Sequence, residues 1–232
     1  MIKFKWTPLF LILISCVTPQ PVHKDDWQNY IHKDKNGKQI TREEYKDLWR
    51  RDKDTFARFD ISKDSGRVLT LAEPLYSRYM VKYPEFSSKL AEITGKQFSQ
   101  TTIFLIEYTY VDDFCGANST NKWSRAAIQE RKQFTNPKKK AIEKDNPEIV
   151  VLNFFETGIY LKNSPNSRRE YYFQDLDNFL RSAIFLQPSL CGSFAIVKPN
   201  GETLVRNGEA NSEFIAKHLQ PEIWQQLFPP GD

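Results

Sequence analysis

Histidine is scarce in this sequence, and the usual loops for binding phosphate or activating a serine are missing. Three histidines occur in 232 residues, His23, His32 and His218, and none stands in a Cys-X-X-X-Cys frame that would suggest a metal site. No Gly-X-Ser-X-Gly elbow is present, which together with the scarcity of histidine argues against a Ser-His-Asp hydrolase. A glycine-rich phosphate loop is also missing. We therefore expect neither a cofactor nor a bound metal.

The sequence also has no large excess of positive or negative charge. The chain has 33 lysines and arginines against 29 acids, which gives a net charge of +4. No arginine-rich face or basic stripe with interleaved aromatics is present, so we expect no nucleic-acid partner. The run Lys138-Lys139-Lys140 is interpreted as a solvated helix face or loop. Hydrophobic residues at 40% and aromatics at 14% are enough for a packed core.

The apolar run near the N-terminus, residues 9–14, is shorter than the ~20 residues that a membrane-spanning helix needs. It follows two lysines, which is typical of an export signal. It ends in Leu-Ile-Ser-Cys at residues 13–16, which resembles the lipobox of bacterial lipoproteins. That resemblance implies a signal peptide at residues 1–15 and lipidation of Cys16. A plain secretory signal with an incidental cysteine is the alternative.

We therefore expect a protein of the cell envelope, held at a bacterial membrane through Cys16 and facing the periplasm or the exterior. Acyl chains hold a protein at a membrane surface, and two or more chains anchor far better than one. Residues 16–24 contain two prolines among polar residues, and we interpret them as a tether between the anchor and the folded part.

Residues 25–66 are predicted as an N-terminal helical extension. Thr41-Arg42-Glu43-Glu44 fits a capping box with Thr41 as the N-cap. An apolar stripe at helical spacing continues from Tyr45 to Phe59, with a possible break near Asp52. Two acidic segments, at 32–43 and 60–71, lack acids where a calcium loop needs them, which favours plain turns.

The remaining residues, 67–228, are predicted as one domain built on a buried central strand. The run at 103–111 is apolar on both faces, which is typical of a strand in the middle of a covered sheet. Pro74 confines residues 67–81 to a sheet edge, and Asn200-Gly201 predicts a hairpin. Further strands are predicted at 149–155, 194–197 and 202–206, helices at 84–98, 123–134, 175–185 and 212–219, and a charged connection at 136–147. Helix-linked strands followed by a hairpin indicate a mixed sheet flanked by helices.

This order of elements resembles the thioredoxin fold. Phe-Cys-Gly-Ala-Asn at residues 114–118 lies where thioredoxins carry Trp-Cys-Gly-Pro-Cys after their central strand. Ser193 lies where the family has a cis-proline. Gly208 and the helix from Ser212 match the family's last glycine loop and final helix. The resemblance covers residues 67–228 and implies an α/β, thioredoxin-like mixed sheet flanked by helices.

The sequence departs from that family at the site itself. Asn118 replaces the second cysteine of the motif and Ser193 replaces the proline, so the neighbour that resolves a mixed disulfide is missing. The fold implied by the resemblance instead brings Cys191, in the loop before the third strand, close to Cys115. With Cys16 acylated, these two cysteines are the remaining pair.

Two main interpretations of the pair stay open, with free thiols or a metal site as remaining alternatives. In the first, Cys115 and Cys191 form a structural disulfide in a non-catalytic binding or structural protein, since exported pairs are usually structural. In the second, they are the catalytic residues of a thiol–disulfide oxidoreductase, with Cys115 as nucleophile and Cys191 as resolving cysteine.

The charges around Cys115 favour the first interpretation. A helix N-terminus would lower the pKa of this cysteine, whereas Asp112 and Asp113 beside it would raise the pKa and oppose formation of a thiolate. We therefore predict the structural role, with the membrane as a partner and an envelope protein as a second candidate partner.

Overall fold

The structure is a computed structural model that describes residues 30–51, 55–63, 66–72, 74–113, 115 and 120–229. The predicted signal peptide, Cys16, the tether and Asn118 lie outside the described residues. Within the described ranges, no helix has the length and apolar character required to cross a membrane.

The described part alternates short strands with helices. In chain order it forms β1 (Tyr30–Lys33), β2 (Gln39–Ile40), α1 (Arg42–Arg51), β3 (Ala57–Lys63), β4 (Gly66–Ala72), β5 (Tyr76–Met80), α2 (Tyr83–Thr94), β6 (Ile103–Thr109), β7 (Lys122–Trp123), α3 (Arg125–Asp145), β8 (Ile149–Phe155), β9 (Tyr160–Leu161), β10 (Tyr172–Gln174), α4 (Phe179–Ala183), β11 (Ser193–Val197), β12 (Glu202–Asn207), α5 (Ser212–Ala216) and α6 (Pro221–Leu227).

The larger sheet has six strands in the order β10-β8-β6-β11-β12-β5. Strands β6, β8 and β10 run parallel, and α3 makes the crossover from β6 to β8. Strand β11 is antiparallel to both of its neighbours, β6 and β12, and β5 closes the far edge antiparallel to β12. The predicted fold class, a thioredoxin-like mixed sheet flanked by helices, is confirmed, as are the hairpin and the edge strand after Pro74.

Strand β6 is covered on both faces. Phe104, Ile106 and Tyr108 belong to one core cluster, which includes residues of α2 and α4. Leu105 belongs to a second cluster, which includes residues of α3, α5 and α6. All four side chains are fully buried. Because successive side chains of a strand point to opposite faces, this alternation gives the strand two packed faces, as predicted.

The N-terminal part differs from the predicted helical extension. The capping box is present, because Thr41 N donates to Glu44 Oε2 at 2.8 Å and Glu44 N donates to Thr41 Oγ1 at 3.1 Å. However, α1 ends at Arg51. Around it, a four-stranded sheet forms in the order β2-β1-β4-β3, and Phe59 lies on β3 rather than on the helix.

The first strand of the larger sheet is therefore β5, and β4 pairs with β1 and β3 of the small sheet. Strands β1 and β4 run parallel although they lie far apart in the chain. Such pairing depends on tertiary contacts, and the spacing of apolar residues within each strand does not reveal it.

Two of the predicted helices also have different lengths. Helix α3 continues through Pro137 to Asp145, where a charged connection was expected. Its second half buries Ile142 and its first half buries Ile128, so each half packs against one of the two core clusters. The helix predicted at 175–185 shortens to α4, because Asp177 and Asn178 have positive φ values of 58° and 54°.

Candidate functional site

The loop after β6 and the segment before β11 meet at one end of the larger sheet. There a disulfide joins Cys115 to Cys191, with their Cα atoms 4.6 Å apart across a sequence separation of 76 residues. The predicted proximity of the two cysteines is present because β6 and β11 are neighbouring antiparallel strands, with Ser193 opposite Tyr108.

One carboxylate contacts the backbone of both cysteines. Asp113 Oδ1 accepts the N–H of Cys191 at 2.9 Å and the N–H of Cys115 at 3.2 Å. The first of these bonds crosses between the two loops, and the second is a local turn contact. Charged acceptors make stronger hydrogen bonds than neutral ones. Asp113 therefore fixes the relative position of the two loops independently of the sulfur–sulfur bond.

The loop that carries Cys115 has further supports. Asp112 has a positive φ of 58° and exchanges two hydrogen bonds with Asn121, from Asp112 N to Asn121 Oδ1 at 2.9 Å and from Asn121 Nδ2 to Asp112 Oδ1 at 2.7 Å. Val111 N donates to Glu156 Oε2 at 2.8 Å. These bonds tie the chain on both sides of Cys115 to neighbouring elements.

The other cysteine lies in a strained piece of backbone. Cys191 and Gly192 both have positive φ values, 65° and 76°. A Cβ atom on Gly192 would lie 2.4 Å from the carbonyl oxygen of Tyr108, so only glycine fits at this position. A non-glycine residue at positive φ is uncommon and persists only where its surroundings impose it. Here the bond to Asp113 and the disulfide impose it on Cys191.

Ser193, at the position where thioredoxins have a cis-proline, belongs to a buried polar chain. Tyr110 Oη donates to Ser193 Oγ at 2.9 Å, and Ser193 Oγ donates to Asn207 Oδ1 at 3.4 Å. Burial raises the pKa of Tyr110 well above its usual range, so the phenol stays protonated and remains a donor. The chain of bonds links the base of the Cys115 loop to β11 and β12.

An ion pair lies behind Tyr110. Arg181 Nε donates to Glu156 Oε1 at 3.0 Å, and the guanidinium carbon lies 5.7 Å from the centre of the Tyr110 ring. The other oxygen of Glu156 already accepts from Val111. This basic group is thus neutralised by a carboxylate and serves to hold the loop.

Helix α3 begins some way along the chain from Cys115 and has its own cap. The helix begins at Arg125, ten residues further on, and its first turn is capped by Ser124, whose Oγ accepts from Ala127 N at 3.2 Å. A helix N-terminus influences only charges close to its first turn. Cys115 is thus not a residue of the first turn of α3, which is where many redox proteins carry a cysteine of lowered pKa.

A small cavity opens beside the disulfide. Its volume is about 260 Å³, and its walls include Phe59, Tyr110 and Leu190 together with the carboxylates of Asp112 and Asp113. Phe59 comes from β3, so the small sheet supplies one wall. The backbone joins the two parts as well, since Leu190 N donates to the carbonyl of Arg58 at 2.6 Å.

Sequence reasoning identified the two cysteines and the acidic pair before Cys115, but it missed what Asp113 does and what the small sheet covers. The position of Asp113, two residues before the cysteine, could have suggested a local turn bond, whereas its bond to Cys191 depends on the fold. Glu107, a carboxylate within β6, pairs with Arg131 Nη2 at 2.8 Å and accepts from Asn153. It is a satisfied polar residue between β6 and α3.

Metal ligands do not cluster in the described ranges, where no group of three or more His, Cys, Asp or Glu residues is placed to hold an ion.

No family model matches the chain, and no curated protein matches it. A structure of DsbF from MTB in mixed oxidized and reduced forms is 11% identical, with a TM-score of 0.30 over 50% of this chain and 78% of that one. A secreted Mycobacterium tuberculosis disulfide oxidoreductase homologous to E. coli DsbE is 10% identical, with a TM-score of 0.29 over 55% of this chain and 82% of the other. At these scores neither similarity bears on function.

Proposed function

We propose that this chain is an extracytoplasmic binding protein, lipid-anchored through Cys16, in which the Cys115–Cys191 disulfide is structural. The observation that supports this most directly is the placement of Asp113, whose carboxylate accepts the N–H of both cysteines. This contact stabilises the two loops in the arrangement that the bridge requires. The anchor rests on the lipobox-like Leu-Ile-Ser-Cys at residues 13–16.

The surroundings of the bridge favour its oxidised form. Reduction would place a thiolate next to the carboxylate of Asp113, and like charges raise a thiol pKa and disfavour the thiolate. Among the described residues, no hydrogen bond joins either cysteine sulfur to a basic side chain. Closing a loop of 76 residues contributes about 4 kcal/mol in the chain-entropy model. The bridge is thus well placed to hold the fold together and poorly placed to supply a nucleophile.

The binding role is assigned to the cavity beside the bridge. Phe59, Tyr110 and Leu190 give it apolar walls, and Asp112 and Asp113 give it a negative rim. An apolar side chain flanked by a basic residue, on a partner protein of the envelope, fits this combination. At about 260 Å³ the cavity accepts one side chain rather than a whole cofactor.

A thiol–disulfide oxidoreductase is the second candidate, and the exposure of Cys115 favours it. In that role the Cys115 thiolate would attack a substrate disulfide and form a mixed disulfide while one substrate thiol leaves. The Cys191 thiolate would then attack Cys115 Sγ, which releases the second substrate thiol and restores the bridge. The substrate would be reduced by two electrons and the pair oxidised by two.

Thiol trapping in cells separates the two functions. We expect the wild-type pair to stay fully oxidised and the Cys191→Ala variant to trap no partner. The Cys115→Ala and Cys191→Ala double variant is the control, because any adduct seen with it does not arise from the pair. If the single variant forms partner adducts on Cys115 and the double variant does not, the disulfide is not purely structural. Acyl labelling that survives Cys16→Ser would remove the lipid anchor.

A further inference from the structure

A second, larger cavity lies between α3 and the segment that joins β9 to β10. Its volume is about 880 Å³. Six basic residues and one carboxylate contribute to its lining: Arg125, Lys132, Lys139, Lys140, Lys162 and Arg169, against Glu170. We call this cavity the basic cleft.

The helix side of the basic cleft follows from the sequence of α3. Arg125, Lys132 and Lys139 recur at intervals of two helical turns, so they lie along one side of the helix. Sequence reasoning interpreted the lysine run at 138–140 as a solvated face. In the structure the run lies on α3, and two of its members, Lys139 and Lys140, line the cleft.

The opposite wall is preformed. Ser167 N donates to the Ser164 carbonyl at 3.0 Å, and Glu170 N donates to the Ser167 carbonyl at 2.9 Å. Asn163 Nδ2 donates to the Tyr172 carbonyl at 2.7 Å. These bonds hold residues 162–171 as a series of turns against β10, so the cleft does not depend on a ligand for its shape.

The single carboxylate in the lining does not neutralise the cleft. Glu170 pairs with Lys132, and both side chains are largely buried, at 5% and 12% exposure. The same Glu170 oxygen accepts the N–H groups of Tyr171 and Tyr172 at 2.9 and 3.0 Å. One further lysine, Lys139, is bonded to a carboxylate of its own helix, Glu143.

The other four basic side chains are exposed and have no carboxylate partner among the described residues: Arg125, Lys140, Lys162 and Arg169. Grouping like charges around a concave surface concentrates positive potential and attracts anions. The effect extends to Lys96, which donates to the carbonyl of Arg168. Its pKa is lowered by burial and, secondarily, by the nearby charge of Lys139.

We propose that the basic cleft binds a phosphate ester that carries hydroxyl groups, either as a free solute or as the headgroup of an anionic lipid. Arginine binds phosphate oxygens in pairs and lysine binds them as a point charge. The hydroxyls of Ser164 and Ser167 and the side chain of Asn136 lie in the same lining and can bond a polyol. The volume falls within the range of about 300–1,000 Å³ typical of small-molecule sites.

The lining distinguishes this ligand from a nucleic acid. The aromatic residue in it is Tyr171, which is 4% exposed and whose hydroxyl is bonded to Thr135 and Asn136. It therefore offers no stacking platform for bases, which single-strand binding requires. The site does not involve the disulfide, so the outcome below is independent of the function proposed for the cysteine pair.

The test is calorimetric titration of the full chain in an uncharged detergent. The probes are inorganic phosphate, glycerol 3-phosphate and short-chain phosphatidylglycerol, with short-chain phosphatidylcholine as the zwitterionic control. The Lys162→Glu and Arg169→Glu double variant reverses two charges of the cleft. The Lys46→Glu and Arg50→Glu double variant is the matched control, because it makes the same change of net charge on exposed positions of α1.

We expect glycerol 3-phosphate or phosphatidylglycerol to bind saturably to the wild type, with affinity reduced at least about tenfold in the cleft variant and less than about twofold in the control. Competition between the two probes assigns a soluble ester as a ligand, and binding of phosphatidylglycerol alone assigns the lipid headgroup. If the cleft variant loses its thermal transition, the milder Lys162→Ala takes its place.

Three results would overturn the proposal. One is the lack of saturable binding by every phosphate probe. Another is a lack of specificity: an equal loss of affinity in both charge-reversal variants, or binding of phosphatidylcholine as tight as that of phosphatidylglycerol. Either would indicate general attraction to the protein or to detergent rather than a site. The third comes from a thymidine oligonucleotide as an additional probe. If it binds more tightly than glycerol 3-phosphate, the cleft is a nucleic-acid surface rather than a small-ligand site.

Discussion

Asp113 Oδ1 accepts the backbone N–H of Cys191 at 2.9 Å, across a separation of 78 residues. The carboxylate thus joins the same two loops as the sulfurs do, by a bond that reduction does not break. The contributions of the carboxylate and of the disulfide to stability can therefore be measured separately by mutation.

The Asp113→Ala variant is expected to be less stable by about 1.5–3 kcal/mol, because a charged acceptor is lost from two N–H groups. The Asp113→Asn variant keeps an oxygen acceptor and should lose less, about 0.5–1.5 kcal/mol. Urea unfolding with the disulfide intact measures both. Glu130→Ala, an exposed position on α3, is the control and should change stability little. Equal loss in Asp113→Ala and Glu130→Ala would show that the contact contributes nothing.

The Gly192→Ala variant is expected to lose more stability than the strain of a positive φ alone would cause. Its φ of +76° costs an L-residue roughly 1–2 kcal/mol, and the added Cβ meets the Tyr108 carbonyl oxygen at 2.4 Å. Gly37→Ala is a matched control, since φ is +78° there and nothing lies within 4 Å of the added atom.

The difference between these two glycine variants isolates the steric contact. Thermal unfolding should place Gly192→Ala below Gly37→Ala. If the two midpoints fall by the same amount, the close approach of Gly192 to β6 is not a constraint on the fold.

Removal of the disulfide is expected to lower the free energy of unfolding by up to about 4 kcal/mol. The Cys115→Ser and Cys191→Ser double variant should match the reduced wild type in urea unfolding. The oxidised wild type should be more stable than both. A double variant as stable as the oxidised wild type would contradict a structural role for the bridge.

Stability is expected to fall in mild acid because of His32. Burial, and secondarily the charge of Arg42, lowers the pKa of His32 below its ordinary value of 6.5. Between the lowered folded pKa and 6.5 the unfolded chain binds more protons than the folded one, so stability decreases as pH falls through this window. The ring packs edge-on against Tyr45, with centroids 5.1 Å apart.

The His32→Asn variant tests this dependence. Its free energy of unfolding should be lower than that of the wild type at pH 7.5, and the gap should narrow as the pH falls toward 5.5. Carboxylates titrate in both proteins, so the difference between them reports the histidine. A gap that stays constant would show that His32 does not contribute to the pH dependence, and a gap that widens toward acid would show the opposite sign.

The parts of the fold that the sequence predicts are those with strong local or compositional signals. Strand β6 is apolar on both faces, the Asn200-Gly201 pair specifies the β11–β12 hairpin, and Thr41 with Glu44 specifies the start of α1. Each of these signals lies within a few residues and each is confirmed. The meeting of Cys115 and Cys191 follows once the order of β6 and β11 in the sheet is known.

The parts that were missed depend on contacts between distant segments. Strand β10 has three residues and pairs with β8 only where the fold places it. The small sheet joins β1 to β4 in parallel, and neither strand shows a clear alternation. The basic cleft assembles residues of α3 and of the segment at 162–171, which appear in the sequence as separate charged stretches without a shared pattern.

The covalent link between Cys115 and Cys191 also has a mechanical consequence if the chain is held at a membrane as proposed. A pull applied between the two termini passes from the β6 loop directly into the β11 loop through the sulfurs. Helix α3, strands β8 and β10 and helix α4 lie within the closed loop, so this part of the chain cannot be extended lengthwise while the bridge is intact. The residues that line the basic cleft lie inside this loop, whereas the small sheet and α2 lie outside it and can be extended without breaking the bridge.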